Sequence, residues 1–228
     1  MRTAYREHLD AFSHDLVVIC DIVDTVMVKA SEALLHTSLQ AAEEALSLEE
    51  KVEDIARRCE TRAVELLALE GPVARDLRQV VSSIYIVEDF RRMGALAMHI
   101  ASTARRRHPQ PVIPEDQQAS FERFSQLVAD MADQTRDLLR EPDAQAAVAL
   151  SKDDDAVDEL HQRVMAGLTQ GRWTGTVPQA VDATLIGRYY ERYADHCVNV
   201  AARVIYLTTG MTRSEYLAQD RDARPSRR

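Results

Sequence analysis

The sequence is poor in the residues that break, cross-link or stiffen a chain. Of its 228 residues, seven are Gly, seven are Pro and three are Cys, and aromatic residues make up 5%. So few Gly and Pro leave long stretches free to form helix, and the low aromatic content is unlike a typical β-sandwich or barrel. An odd number of cysteines without CxxC spacing argues against a disulfide framework and is typical of a reducing compartment.

The chain also lacks a basic excess and a long apolar run. Its formal net charge is −9, which gives no broad basic surface for nucleic acid. The most apolar run, 16–20, is far shorter than the roughly 20 residues of a membrane span. The first ten residues are polar and charged, unlike a signal peptide. We therefore expect a cytoplasmic protein without nucleic-acid partners.

Helix-forming residues with apolar positions three and four apart occupy most of the chain, which predicts an all-α fold. The predicted helices cover about 3–35, 38–69, 73–107, 115–139, 142–168 and 178–209. The stripe on the first of them comprises Leu9, Phe12, Leu16, Ile19, Val23, Met27, Ala30 and Leu34. Helices of this length joined by short turns predict six long antiparallel helices in an elongated bundle.

A proline-rich segment divides the predicted helices into two groups of three. Three prolines within 108–114 cannot continue a helix, so we place the boundary there. Matches between the third and sixth helices, such as Arg92 with Arg192, indicate internal duplication. The prediction is two tandem three-helix repeats, 1–107 and 115–210, a 108–114 linker and a polar, disordered tail over 211–228.

An acidic run in the fifth predicted helix departs from the pattern of a solvent-facing helix. Asp154 and Asp158 lie one turn apart within a run that begins at Asp153. Like charges at this spacing destabilise a helix unless a cation lies between them. The alternative is that the helix begins only at Ser151, so that the run merely caps its N-terminus.

The sixth predicted helix carries a stripe of oxygen donors, Glu191, Asp195 and Asn199, at successive i, i+4 positions. One interpretation is a solvated face paired with Arg188 and Arg192. The other follows if helices five and six are antiparallel neighbours, because their carboxylates then converge and require a cation. Oxygen ligands favour Mg, Mn, Ca or Fe over a closed Zn site, and the identity of the metal stays open. The neighbouring His196 and Cys197 are interpreted as packing residues or residues at the rim of the site.

The sixth predicted helix resembles the closing signature of the PhoU family, in an actinobacterial-like form. The resemblance lies in Arg188-Tyr-Tyr-Glu-Arg-Tyr-Ala-Asp-His-Cys-Val-Asn-Val-Ala and in the segment 204–210 that follows it. In that family the last helix carries Glu-Arg-x-x-Asp-His-x-x-Asn-Ile-Ala and ends near Tyr-x-x-Thr-Gly. The acidic pair of the preceding helix is matched by Asp154 and Asp158. The resemblance implies a fold of two three-helix repeats.

The first half departs from the family pattern. Glu49 and Glu53 keep an acidic pair at the metal-binding spacing. The third helix, however, carries Arg91, Ala95 and His99 where the family has Glu, Asp and Asn. An arginine there would neutralise Glu49 or Glu53 directly. We expect one metal site in the second half, formed by the five residues named above, and a degenerate one in the first.

The family resemblance implies a non-enzymatic, homodimeric, cytoplasmic regulator. Such proteins act between the phosphate ABC transporter, including its ATPase, and a sensor histidine kinase, and they reach the membrane only through these partners. Consistent with this, the sequence carries no Gly-rich phosphate loop and no dinucleotide fingerprint. The alternatives are a ferritin-like di-metal carboxylate enzyme, for which Asp158-x-x-His161 is the nearest motif, and a metal-free scaffold.

Overall fold

The computed structural model of the chain describes residues 2–171 and 173–223, and these contain helices but no strand. The helices are α1 (Arg2–His36), α2 (Leu39–Leu46), α3 (Glu49–Glu65), α4 (Ala74–Arg107), α5 (Gln118–Arg140), α6 (Ala144–Thr169), α7 (Val177–Thr209) and α8 (Arg213–Ala223). A π-helical turn, Leu66–Glu70, prolongs α3, and a 3₁₀ turn, Glu115–Gln117, precedes α5. The all-α prediction is confirmed.

The helices form two bundles that pack side by side. In the first bundle α1, the α2–α3 pair and α4 contact one another, and in the second bundle α5, α6 and α7 do so. Contacts of α1 with α5 and of α4 with α7 join the bundles. Within the described ranges no helix is both long and apolar enough to cross a membrane.

The core runs without interruption through both bundles. The eight apolar residues of the stripe predicted on α1 are all buried, which confirms its helical period. Val112 and Ile113 of the proline-rich segment are buried in the same core, so this linker packs against the bundle. The side chains of Cys20, Cys59 and Cys197 are buried free thiols.

Specific capping residues fix the ends of the helices around α6 and α7. The Asp143 carboxylate accepts a hydrogen bond from the Ala146 amide at 2.6 Å and begins α6. Thr176 and Gln179 form a reciprocal capping box at the start of α7. Gly210 ends α7 with a left-handed φ of 75°, as the sequence predicted.

Two predictions about helix boundaries were wrong. The second predicted helix is divided into α2 and α3, because the Ser47 hydroxyl donates to the Glu44 carbonyl at 2.7 Å and ends α2. The predicted disordered tail contains α8, whose start is stabilised by Thr212, which donates to the Glu215 carboxylate at 2.7 Å. Tyr216 anchors α8 against the core, and 224–228 lie outside the described residues.

Candidate metal centre

The acidic run lies in the interior of α6. The helix begins at Ala144, more than two turns before Asp154, and continues to Thr169. The interpretation in which the run caps a helix starting at Ser151 is therefore wrong. Helices α6 and α7 pack along each other, as the metal-site prediction required.

Four carboxylates converge between α6 and α7. Burial, as the largest cause, and then the carboxylates of Asp158, Asp195 and Glu191 together raise the pKa of Asp154 to about 6. One Asp154 oxygen, Oδ1, is buried and has no hydrogen-bond partner. An unpartnered buried carboxylate oxygen facing other carboxylates is costly, and a bound cation would relieve that cost.

Arginines from α7 itself hold the two carboxylates of that helix. Arg188 donates to both oxygens of Glu191, and Arg192 donates to Asp195 at 3.1 Å. Glu191 is 9% exposed, and burial raises its pKa while Arg188 lowers it. The solvated-face interpretation therefore describes the ion pairs correctly but not the burial of Glu191.

The described part of the chain contains no group of three or more His, Cys, Asp or Glu side chains already arranged around a metal position. The donor chemistry nevertheless fits a cation, because Asp154 Oδ1 is unpartnered beside three other carboxylates. Hydrogen bonds from Arg188 and Arg192 hold the carboxylates of Glu191 and Asp195 in place. A complete ligand set would require these two carboxylates to exchange arginine for metal.

Asn199 does not join this group. Its side chain is exposed, and its amide donates to Asp89 Oδ1 of α4 at 3.5 Å. The antiparallel register explains this placement: Asp195 lies near Asp154, so Asn199, one turn further along α7, lies beyond the acidic residues of α6.

The same α4 carboxylate binds His196, which the sequence analysis interpreted as a packing or rim residue. The buried ring of His196 lies 2.8 Å from Asp89 through Nδ1. Cys197 is buried. Asp89 was missed because only its position opposite α7, and no sequence motif, distinguishes it.

In the first half an ion pair occupies the equivalent position. Arg91 Nε and Nη2 donate to the two oxygens of Glu53 at 3.2 and 3.0 Å, and Glu88 and Glu60 lie 3.4 and 3.8 Å from Nη1. Arg91 and Glu53 line a cavity of about 320 Å³. Glu49 lines this cavity too, and its side chain is exposed. The prediction that Arg91 neutralises Glu49 or Glu53 is confirmed for Glu53.

The model of the PhoU domain family matches the chain twice, over residues 16–104 and 121–204. The chain belongs to the PhoU family. The two PhoU matches fall on either side of the proline-rich segment, in the arrangement that a duplicated domain predicts.

Relatives named as PhoU homologues align with the chain over nearly their full length. The phosphate-specific transport system accessory protein PhoU homolog 1 of Mycobacterium leprae is 43% identical over 210 residues, 92% of this chain and 95% of the relative. PhoU homolog 2 of Mycobacterium tuberculosis is 42% identical over 92% of this chain and 99% of its own length.

Solved PhoU structures share the fold. The crystal structure of PhoU from Pseudomonas aeruginosa superposes with a TM-score of 0.80 at 21% identity, covering 91% of this chain and 100% of that structure. The phosphate transport system regulatory protein PhoU from Streptococcus pneumoniae gives a TM-score of 0.82 at 21% identity, covering 91% and 98%.

Proposed function

We propose that the chain is a non-enzymatic accessory protein of a phosphate-specific transport system. The observation that carries this proposal is the match over 92% of the chain to relatives named as such accessory proteins. In the finer form of the proposal the protein is cytoplasmic and homodimeric. It restrains phosphate uptake and the phosphate-starvation two-component response by contacting the transporter ATPase and the sensor histidine kinase.

The shape of the molecule supports an adaptor role. Helices of more than thirty residues, such as α4 and α7, present extended faces, and helix faces are a common docking surface for partner helices. A ferritin-like enzyme needs Glu-x-x-His motifs that point into the bundle, and the sequences of the described helices contain no such motif. His161 instead lies against Gly187 at the α6–α7 contact, 3.3 Å from the position of an added Cβ.

Cross-linking in phosphate-replete cells of the native host tests the adaptor role. Recovery of the transporter ATPase or the sensor kinase with the tagged chain is the expected result. Deletion of the gene should also raise phosphate uptake and kinase output under the same conditions. If neither partner is recovered and uptake is unchanged in the deletion strain, the adaptor proposal is wrong.

The proposal includes one metal site, held by Asp154, Asp158, Glu191 and Asp195. Its support is the unpartnered Asp154 oxygen among carboxylates that raise its pKa. The metal would neutralise this cluster and hold α6 and α7 together. Calorimetric titration with Mn²⁺ should give one site per chain, and Asp154→Asn should weaken it by more than about tenfold.

The first half provides the matched control for this titration. Glu53→Gln also removes one carboxylate from an acidic pair, but Arg91 already neutralises that carboxylate. It should leave the Mn²⁺ affinity unchanged. Equal losses in Asp154→Asn and Glu53→Gln, or two sites in the unmodified chain, would contradict a single site in the second half.

A further inference from the structure

A cleft with an excess of arginine lies between α4 and α7, where α8 begins. Its volume is about 520 Å³, within the range of small-molecule sites. Four guanidinium groups and two tyrosine rings line it, together with the carboxylates described below. These six residues are Tyr85, Arg92, Arg192, Arg203, Tyr206 and Arg213.

Two of the four arginines are already neutralised. Arg92 Nε lies 2.9 Å from Glu88, and Arg192 lies 3.1 Å from Asp195. The second carboxylate that lines the cleft, Asp89, is bound to His196 at 2.8 Å. The carboxylates at the cleft therefore have partners that do not include the remaining two guanidinium groups.

Arg203 and Arg213 are the remaining two. The guanidinium carbon of Arg203 lies over the Tyr85 ring, 3.9 Å from its centroid, and this contact holds the group at the cleft. Arg213 contributes a buried Nε that has no hydrogen-bond partner. Among the side chains described, those of residues 5–171 and 173–220, no carboxylate forms an ion pair with either guanidinium group.

We propose that this cleft binds a phosphate group, either as inorganic phosphate or on a small molecule such as a nucleotide. Two unneutralised guanidinium groups match the two charges of a phosphate dianion, and each can donate paired N–H bonds to its oxygens. Arg203 lies on α7 and Arg213 is the first residue of α8, so the two donors come from different helices that meet at the cleft. The cleft borders the acidic cluster through the Arg192–Asp195 ion pair, but none of the four carboxylates of that cluster lines it.

This inference does not depend on the proposed adaptor role or on a bound metal. The experiment is isothermal titration calorimetry of the full chain in EDTA, so that no metal–phosphate complex contributes. Inorganic phosphate and ATP are the two probes, since they distinguish a free phosphate from one carried on a nucleotide. One site per chain for at least one probe is the expected result.

Variants assign the binding to the cleft. Arg203→Gln combined with Arg213→Gln should weaken binding by more than tenfold. The control, Arg140→Gln combined with Arg163→Gln, removes the same two charges from exposed positions outside the cleft and should leave the affinity unchanged. Arg203→Lys combined with Arg213→Lys keeps the charge without the fork and should give an intermediate affinity.

Either of two results overturns the proposal. One is no binding of phosphate or ATP to the unmodified chain at millimolar concentration. The other is equal weakening in the cleft variant and the exposed control, which would mean that net charge alone attracts the anion. Circular dichroism of each variant establishes that the folded chain is being compared.

Discussion

Arg91 donates through Nε and Nη2 to the two carboxylate oxygens of Glu53, at 3.2 and 3.0 Å. The corresponding α7 position, at an offset of 100, is Glu191, whose arginine partner lies on its own helix. In the first half, therefore, a cation from the neighbouring helix occupies the place that a metal would take. In the second half the carboxylates of two helices face one another.

Restoring the family residues on α4 should create a second metal site. We expect Arg91→Glu combined with Ala95→Asp and His99→Asn to raise the bound Mn²⁺ from one to two per chain, because Glu53 loses its arginine and gains oxygen donors. Ala95 and His99 are exposed, so the helix tolerates these changes. Metal analysis after dialysis provides the measurement.

Arg91→Ala serves as the control, since it frees Glu53 without adding ligands. It should leave the count at one. A count of two in Arg91→Ala would mean that the arginine alone prevents binding. A count of one in the triple variant would contradict the prediction.

The raised pKa of Asp154 predicts a pH-dependent stability of the metal-free chain. Its pKa is about 6 in the folded chain against 3.8 for the free side chain, so the folded state holds the proton more tightly. The resulting stabilisation is fully present below pH 3.8 and is lost as the pH rises through about 6. Asp154→Asn should therefore be more stable than the unmodified chain at pH 7.5 in EDTA.

The expected gain in the free energy of unfolding is about 1 kcal/mol. The full pKa shift would give more, at about 1.36 kcal/mol for each pKa unit, but the partial exposure of Asp154 lets solvent screen the charges. Urea denaturation at pH 4.5 and 7.5 measures it. The difference between the two chains should shrink at pH 4.5, where Asp154 is mostly protonated. A difference that is the same at both pH values would exclude Asp154 as its source.

The helical periods and the breaking residues sufficed to predict most of the fold. The α1 stripe from Leu9 to Leu34 is buried as its spacing predicted, and Gly210 ends α7. The break after Ser47 and the presence of α8 were missed because both depend on local hydrogen bonds. Ser47 and Thr212 form these bonds without a change in apolar period.

The candidate site was predicted in part, for a similar reason. The i, i+4 spacing placed Asp154 and Asp158 on one face of α6, and the antiparallel packing brought them to Glu191 and Asp195. The same spacing included Asn199, which contacts Asp89 instead. Only the register between helices determines where a stripe of donors ceases to face its partner, and a single sequence does not give that register.

Arg188 should compete with a metal for Glu191. Because Arg188 donates to both Glu191 oxygens, a metal must displace it before binding that carboxylate. Arg188→Gln is therefore expected to tighten Mn²⁺ binding several-fold, the opposite of the usual effect of altering a site. Calorimetric titration tests it, with Arg163→Gln as a control for net charge. Weaker binding in Arg188→Gln would mean that Glu191 is not a ligand.

A buried hydrogen bond between Ser31 of α1 and Tyr190 of α7 joins the two halves of the molecule. Their hydroxyl oxygens lie 2.8 Å apart, and the Tyr190 ring stacks on Phe124 of α5 with centroids 5.5 Å apart. Tyr190→Phe keeps the stacking and removes the hydroxyl. It should destabilise the chain by about 1 kcal/mol, the typical net value of a buried hydrogen bond.

A double-mutant cycle with Ser31→Ala isolates this bond from the effects of each hydroxyl alone. The coupling free energy from urea denaturation should be about 1 kcal/mol, because the second substitution has no partner left to disrupt. Tyr206→Phe, which removes a tyrosine hydroxyl elsewhere on α7, should change stability by much less, since no hydrogen bond to that hydroxyl is found in the described residues. A coupling near zero would mean that the Ser31–Tyr190 bond does not help to join the two halves, which then rely on the packing of α1 on α5 and of α4 on α7.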